Sequence, residues 1–296
     1  MNLAEHLHTP SLGTYTQLAH HYDSERECIW CELHGSPRPC FTPTLLSELA
    51  VFLEKVEQSA RDGELPVSYF VTSSNVPGVF NLGGDLHLFQ QYIADKNRAG
   101  LMAYAKACIN VLYTNAVHMN LPITTIALVQ GSALGGGFEA AISSSVVIAE
   151  KGTELGLPEI LFNLFPGMGA YSLLARKIGM RQAEELITAG RLFGAEELHE
   201  RGVVDILAEP GTGVEAVHDY IRQHGRSRNG LTAINRVREY LNPITYEELL
   251  DITEIWVDAA LHLTSRDLRL MKKLVNAQDR GQQEVQKKPG VQLAAV

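Results

Sequence analysis

Two carboxylates and two glycine clusters carry most of the chemistry this chain can offer. Glu139 closes the run Gly135-Gly136-Gly137-Phe138-Glu139, and Glu159 follows Pro158 in Gly156-Leu157-Pro158-Glu159-Ile160. Apolar neighbours desolvate a carboxylate and raise its pKa, and a second carboxylate nearby drives the two values apart. A pair tuned that way can give and take protons near neutral pH. The first glycine cluster is Asn81-Leu82-Gly83-Gly84-Asp85, and the second runs from Gly131 to Gly137. Each follows a run with strand character. Glycines at a strand-to-helix turn let backbones approach closely and leave the amides of the first helical turn unpaired. Such amides donate to a phosphate or to a developing oxyanion. By spacing alone the same residues also fit a plainer role, with tight turns packing a helix on a sheet and acidic side chains complementing helix N-termini.

Other patterns fall short of a site. Neither glycine run is followed by Lys-Ser/Thr or matches G-x-G-x-x-G, which sets aside a phosphate loop. Cys28-x-x-Cys31, with His34 and Cys40 nearby, resembles half a zinc site. There is no second C-x-x-C, however, and a strand here would send the two thiols to opposite faces. No G-x-S-x-G nucleophile elbow occurs, and the eleven histidines are scattered. The sequence calls for no metal and no cofactor.

The elements that must hold these residues read as alternating strands and helices. Cys28 to Leu33 reads as a strand, and Pro43 to Glu57 as a helix with Leu46, Leu49, Phe52, Leu53 and Val56 on one stripe. Val67 to Thr72 is β-rich, Asn97 to Met119 helical, and Thr124 to Gln130 and Val146 to Ala149 are strands. Pro158-Glu159 is expected to open a further helix. That order predicts an α/β fold with parallel pairing. The first 25 residues are polar and aperiodic and are expected to pack loosely. From about Gly190 the chain reads as mostly helical. Thr245 and Glu248 form a capping box ahead of Leu249, Ile252, Ile255, Trp256, Ala259 and Leu263, and a second helix carries Leu268, Met271, Leu274 and Val275. The predicted division is a core over 1–190, a helical region over 191–280 and a disordered tail over 281–296.

Composition sets outer limits. Of 296 residues, 45% are hydrophobic and 20% charged, which suits a globular core and excludes a disordered or disulfide-stapled chain. Twenty-five basic against 34 acidic residues give a net charge of −9, arguing against nucleic acid and anionic membranes as partners. Four cysteines, a start lacking a signal peptide's basic and apolar regions, and no membrane-length apolar stretch predict a cytoplasmic protein.

Taken in order, Phe80-Asn81-Leu82-Gly83-Gly84-Asp85-Leu86, Ala133-Leu134-Gly135-Gly136-Gly137-Phe138-Glu139 and Leu157-Pro158-Glu159-Ile160 resemble the crotonase (enoyl-CoA hydratase/isomerase) superfamily. Ala195 to Leu198 and Arg201 to Asp205 match a further stretch of that family. A narrower resemblance, to bacterial diffusible signal factor (DSF) synthases, rests on Asn81-Leu82-Gly83-Gly84, on Phe162 to Ser172 and on Ile252 to Asp258. The resemblance implies a ββα spiral with a helical C-terminal region that forms trimers. It implies backbone amides of Gly84 and Gly136 as an oxyanion hole, and Glu139 and Glu159 as the acid/base pair. Candidate substrate contacts are Leu134 and Gly135, with Met168, Trp256 and Leu274 in the wall of an acyl tunnel. Helical periodicity alone would make those last three ordinary core.

The implied reaction is dehydration of a 3-hydroxyacyl chain on acyl carrier protein, or on CoA, to a cis-2-enoyl thioester. Hydrolysis of that thioester then releases a free fatty acid, a quorum-sensing signal. A sensor kinase receiver domain is the implied protein partner. The alternatives are an enoyl-CoA hydratase or isomerase of fatty-acid oxidation, and a catalytically idle scaffold that binds a signalling partner. An acidic carrier protein would need a basic dock. Two clusters qualify: Arg222, Arg226, Arg228, Arg236 and Arg238, then Arg266, Arg269, Lys272, Lys273 and Arg280.

Overall fold

Runs of β-branched and aromatic residues broken by glycine turns produce a repeating strand–strand–helix order in the computed structural model, which describes residues 11–273. The chain opens with β1 (Leu18–Asp23), β2 (Cys28–Leu33) and α1 (Pro43–Arg61). A first turn follows: β3 (Tyr69–Ser74), β4 (Val79–Asn81), α2 (Leu86–Ala94) and α3 (Arg98–Ala116). The second turn is β5 (Thr124–Val129), β6 (Ser132–Leu134) and α4 (Gly136–Ile142). The third is β7 (Val146–Glu150), β8 (Glu154–Gly156), a 3₁₀ turn (Glu159–Phe162), α5 (Ala170–Ile178) and α6 (Met180–Ala189). Next come β9 (Leu192–Gly194), α7 (Ala195–Glu200), β10 (Ile206–Ala208), α8 (Gly213–His224), α9 (Arg228–Leu241) and α10 (Tyr246–Leu261). A helix over 265–273 follows these.

In each turn the first strand joins a six-stranded sheet, ordered β1-β2-β3-β5-β7-β10. The second joins a four-stranded sheet, ordered β4-β6-β8-β9. All neighbours pair in parallel except the edge strands β1 and β9. This is the expected ββα spiral. Alternation along β2 sends Ile29, Cys31 and Leu33 to a core shared with α1 and α3, and Cys28 and Trp30 to the layer beneath α8. The two thiols therefore lie on opposite faces, and burial pushes both up to about 12. Between the sheets, Phe80, Val129, Phe138, Val147, Leu155 and Phe193 form a third core.

Several expectations need correction. The N-terminal segment is not loose over its described part: Leu12 and Leu18 are buried, and β1 pairs antiparallel with β2. Its stability comes from backbone pairing and from the Glu48 carboxylate, which accepts from the amides of Thr16 and Gln17, so its polar side chains gave no signal. Glu159 opens one 3₁₀ turn rather than a helix, because Asn163 takes a left-handed conformation (φ 63°) ahead of Pro166-Gly167. The region after Gly190 is mostly helical, as expected, and adds the short strands β9 and β10 to the two sheets. On α10 the buried stripe is Leu249, Thr253, Trp256, Val257 and Ala260, one step round from the expected face, and Ile255 is 62% exposed. Thr245 does cap α10, accepting from the Glu248 amide at 3.1 Å, but the Glu248 carboxylate is taken by Arg176 instead of completing the box. The expected tail, Leu274, Val275 and Arg280 lie outside the described residues. Among the described residues no helix is long and apolar enough to cross a membrane.

One tight join in the spiral is α4 on β4, where a Cβ placed on Gly137 would overlap the carbonyl of Asn81. Replacing Gly137 with Ala should therefore destabilise the protein by about 1–3 kcal/mol or more, as overpacking does. Denaturant unfolding followed by circular dichroism checks this, and an unchanged midpoint would show that the join is looser than described.

Candidate active site

Two strand-to-helix turns, one after β4 and one after β6, meet at the centre of the molecule. Gly83 takes φ +91°, and a Cβ there would stand 2.7 Å from the carbonyl of Leu134. The loop is held on every side. The Asn81 Oδ1 accepts from the Gly83 amide at 2.8 Å, the Phe41 amide donates to the Gly83 carbonyl, and the Leu82 amide donates to the Pro39 carbonyl. The Tyr104 hydroxyl accepts from the Asp85 amide and donates to the Phe41 carbonyl. Arg38 pairs with Asp85, whose other oxygen caps α2. On the facing turn Gly135 takes φ +52°, which starts α4 with Gly136. A Cβ on Gly136 would lie 3.4 Å from the Gly84 nitrogen, so the two amides are neighbours. Among the described residues neither amide has a hydrogen-bond acceptor.

The carboxylates flank this pair. Glu139, in the first turn of α4, is 1% exposed, and its Oε1 accepts from the amides of Met168 and Ala170, each at 2.8 Å. Burial raises its pKa to about 7, against the pull of those donors. Glu159 arrives from the turn after β8, with Oε1 2.5 Å from where a Cβ on Gly135 would stand. Its Oε2 is sealed from solvent and has no partner among the described residues. Burial, and then the charge of Glu139, push Glu159 up to about 8. Two neighbouring carboxyls with raised and separated values can hold one proton between them at neutral pH.

An apolar chamber opens over these groups. Leu82, Leu86, Phe89, Tyr104, Cys108, Phe162, Leu164, Met168 and Trp256 line it, together with Gly84, Gly135, Gly136, Glu139 and Glu159. Gly135, Met168 and Trp256 are among the residues that line it. Leu134 does not line the chamber: it sits in β6 with its carbonyl against Gly83 and shapes the turn instead. Leu274 lies outside the described residues. Trp256 packs edge-on to Phe89 and over Gly167, and Thr253 donates to the Gly167 carbonyl at 3.3 Å. Through these contacts α10 braces the loop whose amides serve Glu139. Sequence reasoning missed Tyr104, Phe89 and Cys108. Leu82 and Leu86, flanking the Gly83-Gly84 pair, were the readable signal for the near wall, whereas Tyr104 had none.

The model of the family described as enoyl-CoA hydratase/isomerase matches residues 35–233. This chain belongs to the enoyl-CoA hydratase/isomerase family. Human mitochondrial methylglutaconyl-CoA hydratase is 31% identical over 152 residues, covering 51% of this chain and 43% of the relative. The chain spans less than half the length of the curated relatives it matches. Two solved structures superpose well: an enoyl-CoA hydratase from Bacillus halodurans (TM-score 0.72, 19% identity, 87% of this chain and all of that one), and the human mitochondrial delta3-delta2-enoyl-CoA isomerase (TM-score 0.72, 19% identity, 91% and 99%). At that identity they share the fold. A hydratase and an isomerase on one fold leave the choice of reaction to the site.

For this enoyl-CoA hydratase/isomerase family member the buried pair makes stability pH-dependent in a definite direction. Both carboxyls titrate higher in the folded chain than the ordinary value of 4.5, so between about pH 5 and 8 the native state holds more protons than the unfolded state. That contribution is complete at the acid end and is lost as pH rises. The stability of Glu159→Gln relative to wild type should therefore improve as pH rises from about 5 to 8. Denaturant midpoints across that range measure it, and parallel curves would contradict the shifted values.

Proposed function

We propose that the protein dehydrates 3-hydroxyacyl thioesters to 2-enoyl thioesters and then hydrolyses the thioester to release a free cis-2-unsaturated fatty acid. The observation that carries this reading is a pair of raised-pKa carboxylates beside two acceptor-free glycine amides in an apolar chamber. The thioester oxygen would accept from the amides of Gly84 and Gly136, which favours the enolate as the C2 proton leaves. The ionised member of the pair takes that proton. The protonated member donates to the 3-hydroxyl, which departs as water and leaves the C2=C3 double bond. For hydrolysis, a carboxylate draws a proton from water as it adds to the carbonyl carbon. The same amides hold the tetrahedral oxyanion, and the thiol leaves protonated.

The thioesterase step and the cis product rest on the resemblance of the Asn81-Leu82-Gly83-Gly84 loop and its companion motifs to DSF synthases. The carrier, acyl carrier protein or CoA, is part of the same proposal. Arg266, Arg269, Lys272 and Lys273 are exposed on the helix over 265–273, where the Leu268 carbonyl accepts from Gln90 beside the chamber residue Phe89. Arg222 and Arg228 instead pair with Asp219 and Glu27, which weakens the first basic cluster as a dock. Exposed Ile234, Val237, Tyr240 and Leu241 on α9 support a homotrimer. The second reading, hydration or isomerisation of CoA thioesters without cleavage, is favoured by the match to methylglutaconyl-CoA hydratase.

Incubation with 3-hydroxydodecanoyl-carrier protein should yield free cis-2-dodecenoic acid. Arrest at an enoyl thioester would select the second reading. Glu139→Gln and Glu159→Gln should each lower kcat by about 10²–10⁴ with the fold intact. Full activity in both variants would remove the acid/base assignment to this pair. With the pair titrating at about 7 and about 8, activity should peak between those values. Below them both carboxyls are protonated and no base remains, and above them both are ionised and no acid remains. A rate that still climbs beyond pH 9 would break the pairing.

A further inference from the structure

A hydroxyl, an imidazole and a carboxylate form a chain of hydrogen bonds outside the chamber, where the end of α3, the turn between α4 and β7, and α9 meet. The Ser145 Oγ lies 2.6 Å from Nε2 of His118, and Nδ1 of the same ring lies 2.6 Å from the Glu239 Oε1. Sequence separations of 27 and 121 residues divide His118 from its two partners, so only the fold brings them together. None of the three lines the chamber.

Three serines follow one another in this turn, and their surroundings differ. Asn115 Nδ2 donates to the hydroxyls of Ser143 and Ser144 at 2.8 and 3.2 Å, and Ser143 donates to the Ala140 carbonyl. Of the three, Ser145 is the one that meets the imidazole. Thr125, buried on β5, accepts from the Ser145 amide at 3.0 Å and fixes the residue in place.

The histidine is held with similar care. His118, Met119 and Asn120 all take left-handed backbone angles, with φ of 55°, 55° and 52°. Non-glycine residues keep such angles where the surrounding structure imposes them. The Met119 side chain is wholly buried and anchors the turn. Burial lowers the His118 pKa, against the attraction of Glu239, and the charge of Arg238 adds to the lowering. The ring is therefore neutral near pH 7. With its proton on Nδ1, it donates to Glu239 and leaves Nε2 to accept from Ser145. A nucleophile, a base and a group that orients the base thus stand in order.

These residues open onto a cleft of about 340 Å³, room enough for a small ligand. Three cations share its lining. Arg176 is paired with Glu248 and Lys177 with Asp205. Arg238 has no carboxylate partner among the described residues and donates to the Asn235 side chain at 3.3 Å. It is the cation left to meet charge developing on a substrate oxygen.

We propose that Ser145, His118 and Glu239 form a second, esterase-type site that hydrolyses small carboxylic esters. The Ser145 oxygen bonds to the carbonyl carbon as its proton passes to His118 Nε2, and Arg238 faces the oxyanion. The bond from carbon to the alcohol oxygen then breaks, and the alcohol leaves with the proton from His118. Water adds to the acyl-serine and gives a proton to His118. Ser145 departs, recovers that proton, and the carboxylic acid is released. Water is the only co-reactant. No G-x-S-x-G elbow is required, because such constellations are defined by geometry and not by order in the chain. The site is independent of the thioester reading above.

The test treats the full-length protein with an alkyl fluorophosphonate, which an activated serine attacks with loss of fluoride, and maps the adduct by peptide mass spectrometry. Wild type should be phosphonylated at Ser145 and should hydrolyse p-nitrophenyl acetate. Ser145→Ala should lose the adduct and slow ester hydrolysis by about 10²-fold or more, whereas Ser144→Ala should keep both. His118→Asn should slow phosphonylation by about 10²-fold or more, the scale of a general base. Glu239→Gln should slow it by about ten-fold or more through loss of the ring's orientation. The wild-type adduct decides the matter even where a variant fails to fold. An unlabelled Ser145, labelling at an undiminished rate in His118→Asn, or ester hydrolysis undiminished in Ser145→Ala overturns the proposal. A clip that merely ties α9 to the body would shift the denaturant midpoints of these variants and leave Ser145 unlabelled.

Discussion

The backbones of two strand-to-helix turns touch, and the arrangement of the site follows from that contact. No side chain fits between Gly83 and the Leu134 carbonyl, or between Gly137 and the Asn81 carbonyl. With that space closed, the amides of Gly84 and Gly136 come side by side, and α4 starts at the one point from which its first turn carries Glu139 inward. Parallel stacking extends the effect. β6 pairs with β8 so that Leu134 faces Gly156, and the chain leaving β8 brings Glu159 against Gly135. The first turn thus supplies the Gly84 amide, the second both the Gly136 amide and Glu139, and the third Glu159.

The two carboxylates are not equivalent. Glu139 is buried but provided for, with amides from the Met168–Ala170 loop on one oxygen. Glu159 keeps a buried oxygen without a partner, a state that favours the protonated form. The bracing of that loop by Trp256 and Thr253 draws α10, more than 80 residues further along the chain, into the electrostatics of Glu139.

Much of this was legible in the sequence, and the failures have physical causes. The central strands, the stripe on α1 and both glycine turns could be read because hydrophobic period and glycine placement are local signals, whereas the two glutamates stood out only through the resemblance of the motifs around them. β1 escaped because an edge strand with half-exposed side chains shows no alternation, its pairing being carried by backbone groups. The helix expected at Glu159 failed because one left-handed residue, Asn163, ended it after a turn. The face of α10 was misjudged by one step, since Thr253, a polar residue, is buried by its bond to Gly167 while Ile255 faces out. Tyr104 was invisible for a different reason. Its role depends on Phe41 and Asp85, which are distant in sequence and meet only in the fold.

The placement of Trp256 also bears on when the chamber comes into being. A chain emerging from the ribosome presents both glycine turns and both glutamates well before α10 exists, yet the sides of Phe89 and Gly167 that Trp256 covers stay open until it arrives. Domains fold as units and N-terminal segments appear first during synthesis. A truncated product ending before residue 256 would therefore carry both glycine turns and both glutamates and still lack a wall. Arrival of α10, rather than formation of the central sheets, is the moment at which this wall of the chamber can first form.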